Sequence, residues 1–412
     1  MNRNYRIIIL ILIVLLISGC TKKRSDIPDE VKETPKEDEI PIVIENDPIK
    51  DKIRTMTLDE KIGQLLIVGF DGTTIDENIK TLIENYKVGG FILFARNIAD
   101  GNQTLVLLNN LKNINSSNKI PLFLSVDEEG GKVSRLSKIY TGLPEAVKLG
   151  DKNDKDLSYE YGKNLGLRLS TLGFNLNFAP VLDINSNPEN QVIGNRAFGS
   201  KSDIVADNGI QVMKGISSAN VIPAIKHFPG HGDTSTDSHV QLPLVTKTLE
   251  EMENFELIPF KNAIEENADI VMIAHILFTD LDEEYPSTMS HRIITGLLRE
   301  KLGFEGVIIS DDMTMGAIIK NYTLEDGVTS FISSGGDIAL VCHGNENPVN
   351  AINAIKKGIN DGEITEEEIN EKVYRILKLK EKYQLQDDII ENINIVEVNR
   401  LSNEIKFKIT NK

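Results

Sequence analysis

The sequence predicts a single (β/α)8 barrel of the TIM type, with no second α/β domain. Eight short runs rich in Ile, Val, Leu and Phe recur between amphipathic stretches. These runs are apolar almost throughout rather than alternating, as strands of a parallel sheet covered on both faces are. No glycine-rich phosphate turn follows the first run, which disfavours an open doubly wound sheet.

The strand segments, in order, are residues 65–70, 90–94, 122–127, 174–179, 221–227, 270–275, 306–311 and 337–342. Between them, apolar residues recur at helical spacing over stretches such as 77–86, 157–172, 204–218, 249–267, 292–302 and 347–360. The barrel is expected over residues 51–385. Residues 386–412 are too few for another domain and read as a C-terminal tail.

Residues 1–19 read as an address. Arg3 and Arg6 precede the apolar run Ile7 to Ile17, and Ser18-Gly19-Cys20 follows it. A helix of that run is about 16 Å long against a bilayer core of about 30 Å. A basic start, a short apolar run and small residues are the pattern of a secretory signal, with an uncleaved signal anchor as the alternative. Leu16-Ile17-Ser18-Gly19-Cys20 resembles a bacterial lipobox, which implies cleavage before Cys20 and a lipid on its sulfur. Residues 20–50 are rich in Lys, Glu, Asp and Pro and are expected to form an extended tether. The expected location is therefore the extracytoplasmic face of the cell membrane, reached through lipid on Cys20.

Composition narrows the partners. With 45 basic and 62 acidic residues the chain carries a net charge of −17, which repels phosphate backbones and argues against a nucleic-acid partner. Its two cysteines, Cys20 and Cys342, exclude a disulfide framework. Trp is absent, so any platform for stacking a sugar must come from Phe, Tyr or Arg.

Barrel enzymes work at the C-terminal ends of their strands. Five of the eight predicted strands end in titratable side chains: Asp127-Glu128-Glu129, Lys226-His227, His275, Asp311-Asp312 and Cys342-His343. The joint pattern indicates an enzyme. The richest segment, Lys226 to His239, holds three of the six histidines. A metal site is one reading, from His227 and His231 with Asp233, Asp237 and His239 nearby. Pro229, Gly230 and Gly232 make a helix there improbable, so the His227–His231 spacing does not by itself gather ligands. A structural Gly/Pro loop is a second reading. The third is a mobile catalytic loop, hinged at Gly230 and Gly232, that carries an acid/base.

Asp237-Ser238-His239 favours the third reading. In an extended segment residues i and i+2 share a side, so Asp237 can reach the His239 imidazole. A carboxylate there sets the tautomer and stabilises the imidazolium. At the seventh strand, alternation allows only one of Asp311 and Asp312 to face the barrel mouth, and the sequence alone leaves open which. Asp127, Arg135, Arg196, Lys226 and His227 suit the recognition of a neutral polyol, although each could instead serve a structural ion pair.

The run Lys226-His-Phe-Pro-Gly-His-Gly-Asp-Thr-Ser-Thr-Asp-Ser-His239 resembles the signature of family 3 glycoside hydrolases of the NagZ-like β-N-acetylhexosaminidase type. Supporting stretches are Leu58 to Gln64, Gly89 to Asn97, Asp127 to Arg135, Gly173 to Pro180, Val192 to Phe198 and Ser310 to Met315. The resemblance covers roughly residues 52–385. It implies a retaining hydrolase that removes terminal β-linked N-acetylglucosamine from muropeptides or chitooligosaccharides. By position it implies Asp311 as nucleophile, His239 as acid/base and Asp237 as its partner. It further implies Asp127, Arg135, Arg196, Lys226 and His227 as sugar-binding residues, with no metal or organic cofactor. The well-known one-domain members act inside the cell, whereas an anchored form would meet wall or environmental substrates outside it. Lys132 stands where the motif often has Arg. A phosphorylase of the same fold and a sugar-binding lipoprotein without turnover remain as alternatives.

Overall fold

The computed structural model describes residues 47–234, 237, 238 and 241–411. The predicted signal, Cys20 and His239 lie outside them, as does the tether up to residue 46.

Eight parallel strands close into a barrel in chain order: β1 (Leu66–Val68), β2 (Gly90–Leu93), β3 (Phe123–Val126), β4 (Leu176–Asn177), β5 (Ile222–Phe228), β6 (Ile270–Ile273), β7 (Val307–Asp312) and β8 (Ile338–Val341). The β1–β8 ladder closes it, pairing Leu66 with Ala339 and Val68 with Val341. The strands are buried along nearly their whole length, which is why their sequences read as continuous apolar runs.

The helices cover the outer face. Glu77–Glu84, Lys155–Leu172, Ser202–Ser218 and Asn347–Asn360 fall where helical spacing placed them. The predicted helix over 249–267 is broken into Leu249–Glu253 and Ile258–Glu265. Pro259, in the first turn of the second piece, has no N–H to continue a helix from residue 255. Arg292–Lys301 runs with i→i+5 bonding instead of the ordinary α pattern.

The residues past 385 contribute to the folded body. Helix Ile395–Thr410 buries Val398, Ser402, Ile405 and Ile409 on one stripe. Arg168, fully buried in helix Lys155–Leu172, ties this stripe to the barrel. Its guanidinium donates to Ser402 Oγ at 2.9 Å and to Glu128 Oε1 at 3.3 Å. At the opposite end of the chain, helix Pro48–Thr55 begins just before the expected boundary, capped by the Asp47 side chain.

The N-terminal mouth is closed by Lys380. Its Nζ donates to Gln64 Oε1, Gly89 O and Pro121 O, just ahead of β1, β2 and β3, and lies 4.3 Å from the Phe123 ring centroid. The C-terminal mouth is left as the polar end. Among the described residues no helix is long and apolar enough to cross a membrane.

Candidate active site

At the C-terminal mouth lies a cleft of about 460 Å3, lined by Asp127, Arg135, Arg196, Lys226, His227 and Asp311, among others. Six of the eight predicted catalytic and binding residues thus surround one space. Asp237 lines an adjoining cavity of about 570 Å3, which shares Glu129, Val133, Val192 and Arg196 with the cleft. His239 lies outside the described residues.

The acidic wall follows β3. The chain leaves that strand into a hairpin that pairs Glu128–Gly130 with Val133–Ser134, so successive side chains face opposite ways. Asp127 and Glu129 turn to the cleft. Glu128 turns away, accepting from Ser134 Oγ and the Leu136 N–H as well as from Arg168. Burial raises the Glu128 carboxyl above the ordinary range despite Arg168.

Lys226 reaches from β5 between the two cleft-facing carboxylates, 2.8 Å from Asp127 Oδ1 and 2.7 Å from Glu129 Oε1. Arg196 grips Glu129 with two bonds, Nε to Oε2 at 2.9 Å and Nη2 to Oε1 at 2.8 Å. Arg135 Nη2 reaches Asp127 Oδ2 at 3.3 Å. Burial acts to raise both carboxyls, yet the surrounding cations hold Asp127 and Glu129 below the ordinary carboxylate range. Arg196 therefore both lines the cleft and serves an ion pair. Glu129, which no sequence argument singled out for binding, is the shared anchor of two cations. Arg135 Nε is buried and has no hydrogen-bond partner among the described residues.

His227 is held by Asp183, a residue the sequence reading passed over. The carboxylate Oδ2 lies 2.6 Å from His227 Nδ1, while Oδ1 accepts the His231 N–H, also at 2.6 Å. One buried carboxylate thus orients a cleft imidazole and pins the start of the following loop. Burial would raise Asp183, but His227 and the bonds it accepts hold it low. A lone acid in the apolar run Val181-Leu-Asp-Ile184 was the available signal.

His231 is buried, and burial together with the neighbouring His227 pushes its pKa down to about 4. Its Nδ1 meets Thr234 Oγ1 at 2.8 Å and its Nε2 meets Ser238 Oγ at 3.2 Å. These ring nitrogens are committed to hydroxyls, and His227 Nδ1 to a carboxylate. Among the described residues no three His, Cys, Asp or Glu side chains are grouped to hold a metal ion. The glycines also have a reason other than hinging. A Cβ at Gly232 would stand 1.6 Å from the Ile184 carbonyl oxygen, and Gly230 adopts φ +135°. Asn190 Nδ2 adds bonds to the carbonyls of His231 and Gly232. This part of the loop is packed against Ile184 and Asn190.

Strict alternation fails at the seventh strand. Both Asp311 and Asp312 line the cleft, because the β7–β8 register shifts between Ile309 and Asp312. Their bonding differs. Asp312 accepts from Thr314 N, Thr314 Oγ1 and Cys342 N at 2.9, 2.7 and 3.0 Å, and so braces the strand end. Asp311 Oδ1 accepts the N–H of Asp312 at 2.8 Å. His275 is fully buried, bridging Thr288 Oγ1 and the Asp312 carbonyl, and does not line the cleft. Cys342 is a buried free thiol raised well above its ordinary pKa by burial.

The chain belongs to glycosyl hydrolase family 3, whose N-terminal domain it matches over residues 57–379. It is 33% identical over 334 residues to beta-hexosaminidase A of Pseudoalteromonas piscicida, a match covering 75% of this chain and 56% of that protein. It is 34% identical over 285 residues to a beta-hexosaminidase of Xylella fastidiosa strain 9a5c, covering 68% and 83% respectively. The chain therefore spans just over half the length of the first relative and most of the second. Among solved structures it resembles a family 3 beta-N-acetylglucosaminidase from Paenibacillus sp., with a TM-score of 0.81 and 39% identity. That likeness covers 85% of this chain and 68% of the other.

Proposed function

We propose that this protein hydrolyses terminal β-linked N-acetylglucosamine from muropeptides or chitooligosaccharides with retention of configuration. Family membership and the beta-hexosaminidase relatives support the reaction class. The single observation that carries the reading is the ring of Asp127, Lys226, Arg135 and His227 around the cleft that Asp311 lines. Paired charges there offer donors and acceptors to several hydroxyls of one sugar.

In the proposed reaction the Asp311 carboxylate attacks the anomeric carbon. The glycosidic C–O bond breaks, and its oxygen takes a proton from the His239 imidazolium. Neutral His239 then removes a proton from water, whose oxygen displaces Asp311 and releases the sugar. Asp237 supports the imidazolium. Most retaining glycosidases use two carboxylates in these roles, so His239 is a departure from that pattern. The lipobox-like segment ending at Cys20 supports an enzyme held at the outer face of the membrane.

Turnover of 4-nitrophenyl N-acetyl-β-glucosaminide with and without phosphate tests the reading. Free N-acetylglucosamine in both conditions is the expected product. A sugar 1-phosphate as the main product would make the protein a phosphorylase. Binding without turnover would make it a sugar-binding lipoprotein.

A further inference from the structure

Ser238 stands in sequence between His239, proposed to deliver the proton, and its partner Asp237, and is itself almost fully buried. Its backbone carbonyl accepts the Ala317 N–H at 3.0 Å. Ala317 lies in the short helix Gly316–Ile319, which follows the strand that ends in Asp311 and Asp312. The Ser238 hydroxyl lies 3.2 Å from His231 Nε2. His231 is in turn fixed at Nδ1 by Thr234 and at its own N–H by Asp183. Thr234 Oγ1 donates its one proton to the His231 carbonyl at 3.1 Å, so it accepts from Nδ1–H, which leaves Nε2 to accept from the Ser238 hydroxyl.

We propose that Ser238 is a positioning residue, setting the reach of the adjacent acid/base by tying its segment to His231 on one side and to Ala317 on the other. The inference rests on the reading of His239 as acid/base. The two ties join Ser238, next in sequence to the proposed acid/base, to both the β5 loop and the element after the nucleophile's strand. A general acid works only within hydrogen-bond reach of the leaving oxygen, and a misplacement of about 1 Å costs on the order of 100-fold.

The test compares kcat/KM, which reports the first bond cleavage, on two substrates with the full-length protein. Chitobiose has a leaving sugar hydroxyl that needs a proton, whereas 4-nitrophenyl N-acetyl-β-glucosaminide releases a stable phenolate that needs little. Ser238→Ala removes the hydroxyl tie and keeps the backbone one. Its expected effect is a loss of roughly 10- to 100-fold on chitobiose with less than about threefold on the aryl glycoside. A merely structural role would lower both activities together. An equal loss on both substrates, or no loss on either, overturns the proposal. His239→Ala is the reference: it should show the same selectivity more strongly. Uniform loss in His239→Ala would overturn the acid/base reading and this inference with it, whereas selectivity in His239→Ala but not in Ser238→Ala overturns the inference alone.

Discussion

Replacing His231 by Gln should flatten the acid side of the stability profile. The imidazole is 2% exposed, and burial, reinforced by the His227 ring at 5.7 Å, moves its pKa from 6.5 to about 4. Asp183 and Asp311 act in the opposite sense and do not overcome it. The folded pKa lies below the unfolded one, so the unfolded chain binds more protons between these two values. The stability contribution is therefore complete above pH 6.5 and is lost as pH falls toward about 4. That gap corresponds to about 3 kcal/mol. The depressed carboxylates Asp127, Glu129 and Asp183 add losses only below the ordinary carboxylate range, under about pH 4. Buried Lys380, lowered to about 7, makes its change above this window. Urea unfolding of the natural protein and of His231→Gln at several pH values from 4 to 7.5 isolates the contribution, because every other group is common to both. The natural protein should lose about 3 kcal/mol more than the variant across that range. Parallel profiles would refute the assignment of a buried neutral imidazole.

Two further outcomes follow from buried charge. Asp183→Asn keeps the shape but removes the charge and one of the two acceptor oxygens, so His227 Nδ1 and the His231 N–H can no longer both be served; kcat/KM should fall by roughly 10- to 100-fold, in line with charge-assisted bonds of about 1.5–3 kcal/mol. Steady-state kinetics within about twofold of the natural protein would contradict that role. Arg168→Met leaves Glu128 buried without its cation and strips Ser402 of a donor, so chemical unfolding should register a loss of about 3–5 kcal/mol. Glu128→Gln combined with Arg168→Met should recover part of it, since no uncompensated charge then remains.

Much of the barrel was legible because a strand covered on both faces has little choice but to be apolar. All eight strands lie within the predicted runs or extend them by one residue, as β5 does at Phe228 and β7 at Asp312. Register and bonding were not legible. Alternation assigned the mouth to one of Asp311 and Asp312, but a local register shift turns both to the cleft, and only their partners tell them apart. Asp183 and Glu129 were missed for a related reason. Each acts by holding His227, Lys226 or Arg196, and a holding contact across the barrel leaves no spacing in the sequence. The C-terminal helix did carry a signal, with Val398, Ser402, Ile405 and Ile409 on one face, but a mostly polar surface masked so narrow a stripe.

Trapping the covalent intermediate tests the role of Asp311 as nucleophile. A fluorinated N-acetylglucosaminyl donor that glycosylates the enzyme faster than water releases it, followed by proteolysis and mass spectrometry, locates the attached sugar. One sugar is expected on the peptide containing Asp311, absent in Asp311→Asn. Attachment to another residue, or continued turnover by Asp311→Asn near the natural rate, would contradict that role.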